Sequence, residues 1–219
     1  MQFPQIAQLG FVAFAATGVF GFVSAVHDGE TRRACSAMCA LKPTYAARDR
    51  LAPDFALPAL GGGTVKLSDY RGKVVILNFW TKNCPPCLEE MPSLVNLAKA
   101  LQSQKDIVLL TISTDESLED AKNTLHSVLG GDPPFAVLLD PDSKIVTKTY
   151  GTKLYPETWF IDPKGVIRAR VDGQRDWASA LVVDLAQSLH SPIPCEVTFR
   201  SGKMDGDELG VCAELDPTK

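Results

Sequence analysis

Apolar positions along the chain fall into patterns that change at definable points. Residues 8–26 are almost wholly apolar, with Phe11, Phe14, Phe20 and Phe22 among small residues. That length is just enough to span a bilayer as a helix. Further on, Val74, Val75, Ile76, Leu77, Phe79 and Trp80 make a short continuous run rich in β-branched residues, as a central strand covered on both faces requires. The period then switches to that of a helix. From Pro85 to about Ser103, the positions Leu88, Met91, Leu94, Val95, Leu97 and Ala98 share one face, and Pro92 predicts a kink. Residues 107–113 read as a second buried strand, which makes the crossover a right-handed βαβ unit.

The rest of the chain supplies shorter elements. Residues 51–60 form an extended lead-in with Pro53 and Pro58, the Gly61-Gly62-Gly63 turn follows, and residues 64–67 read as an edge strand. Residues 68–72 are a loop feeding the central strand. A helix is expected over 115–129, with acids in its first turn, where the helix dipole favours them. A strand over 135–139 and a short helix over 142–150 come next. Residues 158–161 and 166–171 form an antiparallel hairpin about the Asp162-Pro163-Lys164-Gly165 turn. The closing helix, 176–190, buries Trp177, Leu181, Val182, Leu185 and Leu189. Residues 191–219 hold prolines and glycines and read as an irregular tail. The expected organisation is therefore a membrane anchor or signal peptide over 1–26, a cysteine-containing linker over 27–52, an α/β domain over 53–190 and the tail over 191–219.

The chemistry lies where strand gives way to helix, at Cys84-Pro85-Pro86-Cys87. With Cys84 as N-cap, its sulfur sits where unpaired helix N–H groups and the positive end of the dipole point, which stabilises a thiolate. Pro85 suits the first helical position. Pro86 removes a second amide, so the Cys87 N–H is the main donor left for the sulfur. Cys84 is then a moderately activated nucleophile and Cys87 the resolving thiol. A second CxxC, the usual partner in a zinc site, is missing from the sequence.

Several further motifs resemble the TlpA/ResA/CcmG type of membrane-anchored thioredoxin-like protein over residues 53–190. They are Pro53-Asp54-Phe55, Leu67-Ser68-Asp69-Tyr70-Arg71-Gly72-Lys73, Asn78-Phe79-Trp80, Glu90-Met91-Pro92 and Pro156-Glu157-Thr158-Trp159-Phe160-Ile161-Asp162, in that order around the CxxC. The resemblance implies a thioredoxin-like α/β fold, a mixed central sheet flanked by helices, with an N-terminal extension and a central insertion. It also implies a cis Pro156 lying against the CxxC, with Tyr155, Pro156, Asn83, Pro85 and Pro86 as the substrate-facing residues. Family members usually carry Trp immediately before the first cysteine; here it is Asn83. Glu157 is expected to place a carboxylate near the dithiol and raise its thiol pKa. Asn78 stands where classical thioredoxins carry a buried Asp. An amide cannot titrate, so proton transfer must use water or another carboxylate, and Asn78 reads most simply as a hydrogen-bonded buried residue. Glu89 and Glu90 are both candidate acid/base groups, although carboxylates on helix surfaces are commonplace.

A net charge of −4 and the lack of basic runs interleaved with aromatics exclude a nucleic-acid surface. Cys35, Cys39, Cys195 and Cys212 lie outside the CxxC and read as structural disulfide candidates of an oxidising compartment, with the three full pairings left open. The sequence reading is an extracytoplasmic (periplasmic, membrane-anchored or secreted) protein disulfide oxidoreductase. It needs no organic cofactor and no metal, acts on a protein dithiol or disulfide client such as apocytochrome c, and is re-reduced by a membrane thiol carrier. Two rivals are open: a disulfide oxidase or thiol peroxidase, since Thr81 stands three before Cys84, and a copper-binding module using Cys84/Cys87 or Cys35/Cys39.

Overall fold

A computed structural model describes residues 5–41, 50–190, 198–200, 203–205 and 212. Its centre is a five-stranded sheet of order β5-β4-β3-β6-β7, formed by β3 (Val74–Trp80), β4 (Ile107–Ser113), β5 (Ala136–Leu139), β6 (Glu157–Ile161) and β7 (Ile167–Asp172). Strands β3, β4 and β5 are parallel, whereas β6 runs antiparallel to β3 and to β7. β3 is buried at every position, as a strand with apolar side chains on both faces must be. A separate hairpin, β1 (Ala56–Pro58) with β2 (Thr64–Lys66), precedes the sheet and leans on β5 through the Ala59–Leu138 bridge.

Alternation along the strands divides the core in two. Val74, Ile76, Trp80 and Phe160 face one side, packed with Met91, Leu94 and Leu97 of α2 (Pro85–Ala100), Leu125 of α3 (Leu118–Leu129) and Val182 and Leu185 of α4 (Ala180–Ser188). Val75, Leu77, Phe79, Trp159 and Ile161 face the other, against Phe55, Leu67, Val146 and Tyr150. The expected short helix after β5 is a π-helical turn, Lys144–Thr149, and buried Asp140 accepts the N–H groups of Lys144, Ile145 and Val146 at its start. The helix expected from residue 115 begins at Leu118, because Ser117 caps it by accepting the Asp120 N–H. The closing helix likewise starts late, at Ala180, after a loop that carries Trp177 into the core.

The N-terminal part departs most from expectation. α1 runs without interruption over Gln5–Leu41, so the first half of the expected linker is helical and continuous with the apolar segment before it. Phe14, Val19, Phe20 and Phe22 on it are exposed, whereas Cys35, Ala37, Cys39 and Leu41 are buried, and Ala37 and Leu41 join the α4 side of the core. Among the described residues no helix is long and apolar enough to cross a membrane; the side chains of residues 5–13 lie outside that description. Cys39 is disulfide-bonded to Cys212, which ties the end of α1 to a residue 173 positions away, and Cys35 is also in a disulfide. The Cys39–Cys212 link is one of the pairings the sequence left open, and it withdraws Cys39 from the metal-pair reading. Cys195 lies outside the described residues. Within the tail, β8 (Thr198–Arg200) and β9 (Lys203–Asp205) form a hairpin where an irregular segment was expected.

Candidate active site

β3 delivers the chain to a short loop, residues 81–83, and Cys84 then caps α2 in an extended conformation. Its sulfur accepts the Cys87 N–H at 3.2 Å, the donor that the two intervening prolines leave available. Cys84 and Cys87 form a disulfide, with Cys84 at the surface edge (8 % exposed) and Cys87 fully covered. Pro85, Pro86 and Asn83 are exposed around it. This arrangement divides the labour between the sulfurs: one within reach of a partner, the other one turn behind it. Reduced, the outer sulfur lies where the helix terminus favours a thiolate.

The Tyr155–Pro156 peptide is cis. Pro156 immediately precedes Glu157, which pairs with Phe79 at the C-terminal end of β3, so the proline stands at the sheet end from which the CxxC segment leaves. Tyr155 is half-buried and touches both halves of the core. The structure thus brings Cys84, Cys87, Asn83, Pro85, Pro86, Tyr155 and Pro156 to one end of the sheet.

Glu157 requires a correction. It lies on β6 two residues from Trp159, and its carboxylate accepts the Trp159 indole N–H and the Thr152 hydroxyl, with Arg170 Nε at 4.0 Å. Trp159 belongs to the core half away from α2, whereas both cysteines belong to the α2 half. Strand alternation therefore turns Glu157 away from the dithiol, although its backbone adjoins Pro156. Burial raises its pKa, opposed by the Thr152 hydrogen bond and the Arg170 charge.

The carboxylate on the dithiol side is Glu90. It follows Cys87 by three residues, so the two share a helix face. Glu90 is 1 % exposed. Its Oε1 accepts from Asn78 Nδ2 at 2.9 Å, and its Oε2 accepts from the Trp177 indole at 2.9 Å and the Arg175 N–H at 3.2 Å. Asn78 Nδ2 also donates to Thr158 Oγ1 at 2.9 Å, across the β3–β6 pairing. Burial pushes the Glu90 pKa up to about 7, against the lowering effect of the Trp177, Asn78 and Arg175 hydrogen bonds. Asn78 is thus the hydrogen-bonded polar residue expected, and the titrating group it cannot be is the one it holds. Glu89, one position earlier, is exposed. The apolar stripe of α2 carries the distinguishing signal, because Glu90 falls in phase with Cys87 and Leu94 and Glu89 does not. Trp177 and Arg175, more than 80 positions along the chain, had no local signal. Sequence reasoning also missed Asp115, whose carboxylate binds the loop before Cys84.

Residues 49–170 match the AhpC/TSA family, more than half of the chain. The thioredoxin-like protein YneN of Bacillus subtilis is 35 % identical over 117 residues, 53 % of this chain and 66 % of that protein. The thiol-disulfide oxidoreductase ResA of Bacillus thuringiensis subsp. konkukian is 32 % identical over 124 residues, 57 % of this chain and 69 % of its own length. Among solved structures, a Chlorobium tepidum protein assigned as the thiol:disulfide interchange protein DsbE superposes with a TM-score of 0.58 at 31 % identity, covering 66 % of this chain and 99 % of that one. The fold is thioredoxin-like, as the motifs implied.

Proposed function

The chain belongs to the AhpC/TSA family and is a thiol-disulfide oxidoreductase, and from that premise we propose that it reduces protein disulfides outside the cytoplasm. The observation that carries the reading is the Cys84 sulfur capping α2, 3.2 Å from the Cys87 N–H, with Cys87 covered behind it. In the reduced enzyme the Cys84 thiolate attacks one sulfur of a client disulfide. That S–S bond breaks, a Cys84–client disulfide forms and the client's other sulfur leaves as a thiolate. Cys87, deprotonated, then attacks Cys84, releasing the second client sulfur and leaving the Cys84–Cys87 disulfide. Two electrons and two protons pass to the client, and a membrane thiol carrier returns both to the pair. Glu90, on the Cys87 side of the helix, is the group suited to accept the Cys87 proton, since its pKa near 7 lets it change state at working pH. Tyr155 and cis Pro156 position the client chain beside Cys84, with Asn83, Pro85 and Pro86 as the opposing surface.

Cysteine use supports the compartment. Disulfides buried away from the dithiol, at Cys39–Cys212 and at Cys35, persist where the medium oxidises. The apolar residues 8–26 and the exposed Phe14, Phe20 and Phe22 support a membrane tether at the front of α1, ahead of a redox domain over 53–190 and the tail over 191–219. The resemblance to the cytochrome c maturation branch, through Pro156-Glu157-Thr158, makes apocytochrome c the client class to test first. The direction of exchange is tested by equilibrating the pair with thiol buffers. A reductase has a potential near the thioredoxin end of the range, about −270 mV, and a value near about −120 mV reverses the assignment to an oxidase.

A further inference from the structure

The loop that presents Cys84 is held from outside the CxxC and outside the Glu90 network. Asp115 lies in the turn between β4 and α3 and is 2 % exposed. Its Oδ1 accepts the Thr81 hydroxyl at 2.8 Å and the Lys82 backbone N–H at 2.8 Å, while its own N–H donates to Ser113 Oγ at 3.0 Å. Among the described residues its Oδ2 has no hydrogen-bond partner. The Thr81 carbonyl in turn accepts the Cys84 N–H at 3.2 Å. Two hydrogen bonds therefore connect the Asp115 carboxylate to the Cys84 backbone.

We propose that Asp115 is a positioning residue for the dithiol: by fixing Thr81 and Lys82 it sets where the Cys84 sulfur stands at the mouth of α2. The proposal rests on Cys84 being the attacking sulfur. Three considerations carry it. A buried carboxylate with one oxygen unmatched costs stability, so this side chain is a poor choice for merely closing a turn. The loop has little else to order it, because Asn83 is exposed and the Lys82 ion pairs with Glu116 and Asp120 are at the surface, where such pairs contribute little. Finally, a nucleophile displaced by about 1 Å loses rate by orders of magnitude, so an anchor two hydrogen bonds from the sulfur has kinetic leverage.

The test compares Asp115→Ala with Asp115→Asn in the full-length reduced protein. Both remove the same charge, but Asn keeps an oxygen able to accept from Thr81 and Lys82. Their difference therefore reads the hydrogen bonds. The readouts are the pH profile of iodoacetamide alkylation, with the alkylated cysteine identified by peptide mapping, and the melting temperature. Expected for Asp115→Ala is a Cys84 thiol pKa above that of Asp115→Asn and alkylation at neutral pH slowed roughly tenfold. Asp115→Asn should stay within about twofold of the parent. Equal profiles for Ala and Asn, or a lowered melting temperature with an unchanged profile, would overturn the proposal. If Asp115→Ala does not fold, Thr81→Val against Thr81→Ser is read the same way: Ser must restore what Val loses, and equal behaviour counts against the proposal. Alkylation of Cys87 in place of Cys84 in the parent protein would instead sink the assignment of the attacking sulfur, leaving the loop measurement separate.

Discussion

Asn78 on the central strand donates its side-chain amide to Glu90 on α2 at 2.9 Å, joining the two elements that meet at the dithiol. The contact holds a carboxyl group that burial has moved from an ordinary value of 4.5 to about 7. Its folded-state pKa lies above its unfolded one, so the folded protein binds the proton more tightly. The resulting stability is fully present below about pH 4.5 and is lost as pH rises through about 7. A shift of that size corresponds to about 3 kcal/mol. Urea unfolding at pH 4.5 and pH 8 should show the parent losing stability on this order relative to Glu90→Gln, which carries no proton to lose. A parent and variant with parallel pH profiles would show that Glu90 titrates normally.

Glu90 and Glu157 should separate cleanly in redox measurements. An ionised Glu90 one turn from Cys87 disfavours a neighbouring thiolate and raises thiol pKa. Glu90→Gln should therefore lower the thiol pKa and make the Cys84–Cys87 couple more oxidising, with the larger effect above pH 7, where the parent residue is charged. Glu157 is engaged with Thr152 and Trp159 on the other face of the sheet. Glu157→Gln should leave the potential within about 10 mV of the parent's. Equilibration with glutathione at pH 8 checks both. A shift in the Glu157 variant as large as that in the Glu90 variant would restore Glu157 as the tuning group.

What could be read from the chain beforehand follows from which signals are local. The strand-to-helix switch at Trp80 to Pro85 placed both cysteines, because apolar period and N-cap chemistry are written in consecutive residues. Glu157 is the position where a local signal misleads. It adjoins Pro156 in sequence, but alternation along β6 sends successive side chains to opposite faces, so its carboxylate lies away from the sulfurs. Register decides that face, and the Asn78–Thr158 pairing that fixes the register joins residues 80 positions apart. Glu90, Trp177 and Arg175 converge for the same reason only after the closing loop folds back over α2. Asp115 read as the start of a helix because acids favour that position; the structure uses it one turn earlier, on the active-site loop.

The Cys39–Cys212 bond should be a stability element with no redox role. It fastens the buried end of α1, where Ala37 and Leu41 join the core, to the far end of the chain. Replacing both residues by Ser should lower unfolding free energy by about 2–4 kcal/mol in urea titrations. The Cys84–Cys87 potential should not change. A changed potential would mean that α1 communicates with the dithiol, and unchanged stability would mean that its packing against α4 suffices.

The Thr81 side chain bears on peroxide chemistry, because it stands three residues before Cys84, where a peroxidase would direct a hydroxyl at the bound oxidant. Here that hydroxyl is 2.8 Å from Asp115 Oδ1. A hydroxyl has a single proton to donate, so once given to the carboxylate it is withdrawn from any oxygen held at Cys84. The reduced enzyme should therefore consume hydrogen peroxide no faster than an unassisted thiol of the same pKa. Cys87→Ser should show no sustained peroxide turnover when supplied with a reductant. Offered a disulfide-bonded peptide instead, the same variant should accumulate a stable mixed disulfide through Cys84, visible as a mass increase that dithiothreitol reverses. Peroxide turnover that survives loss of Cys87 would mean that the Thr81–Asp115 bond opens during reaction, and would replace the proposed disulfide reduction by peroxide reduction.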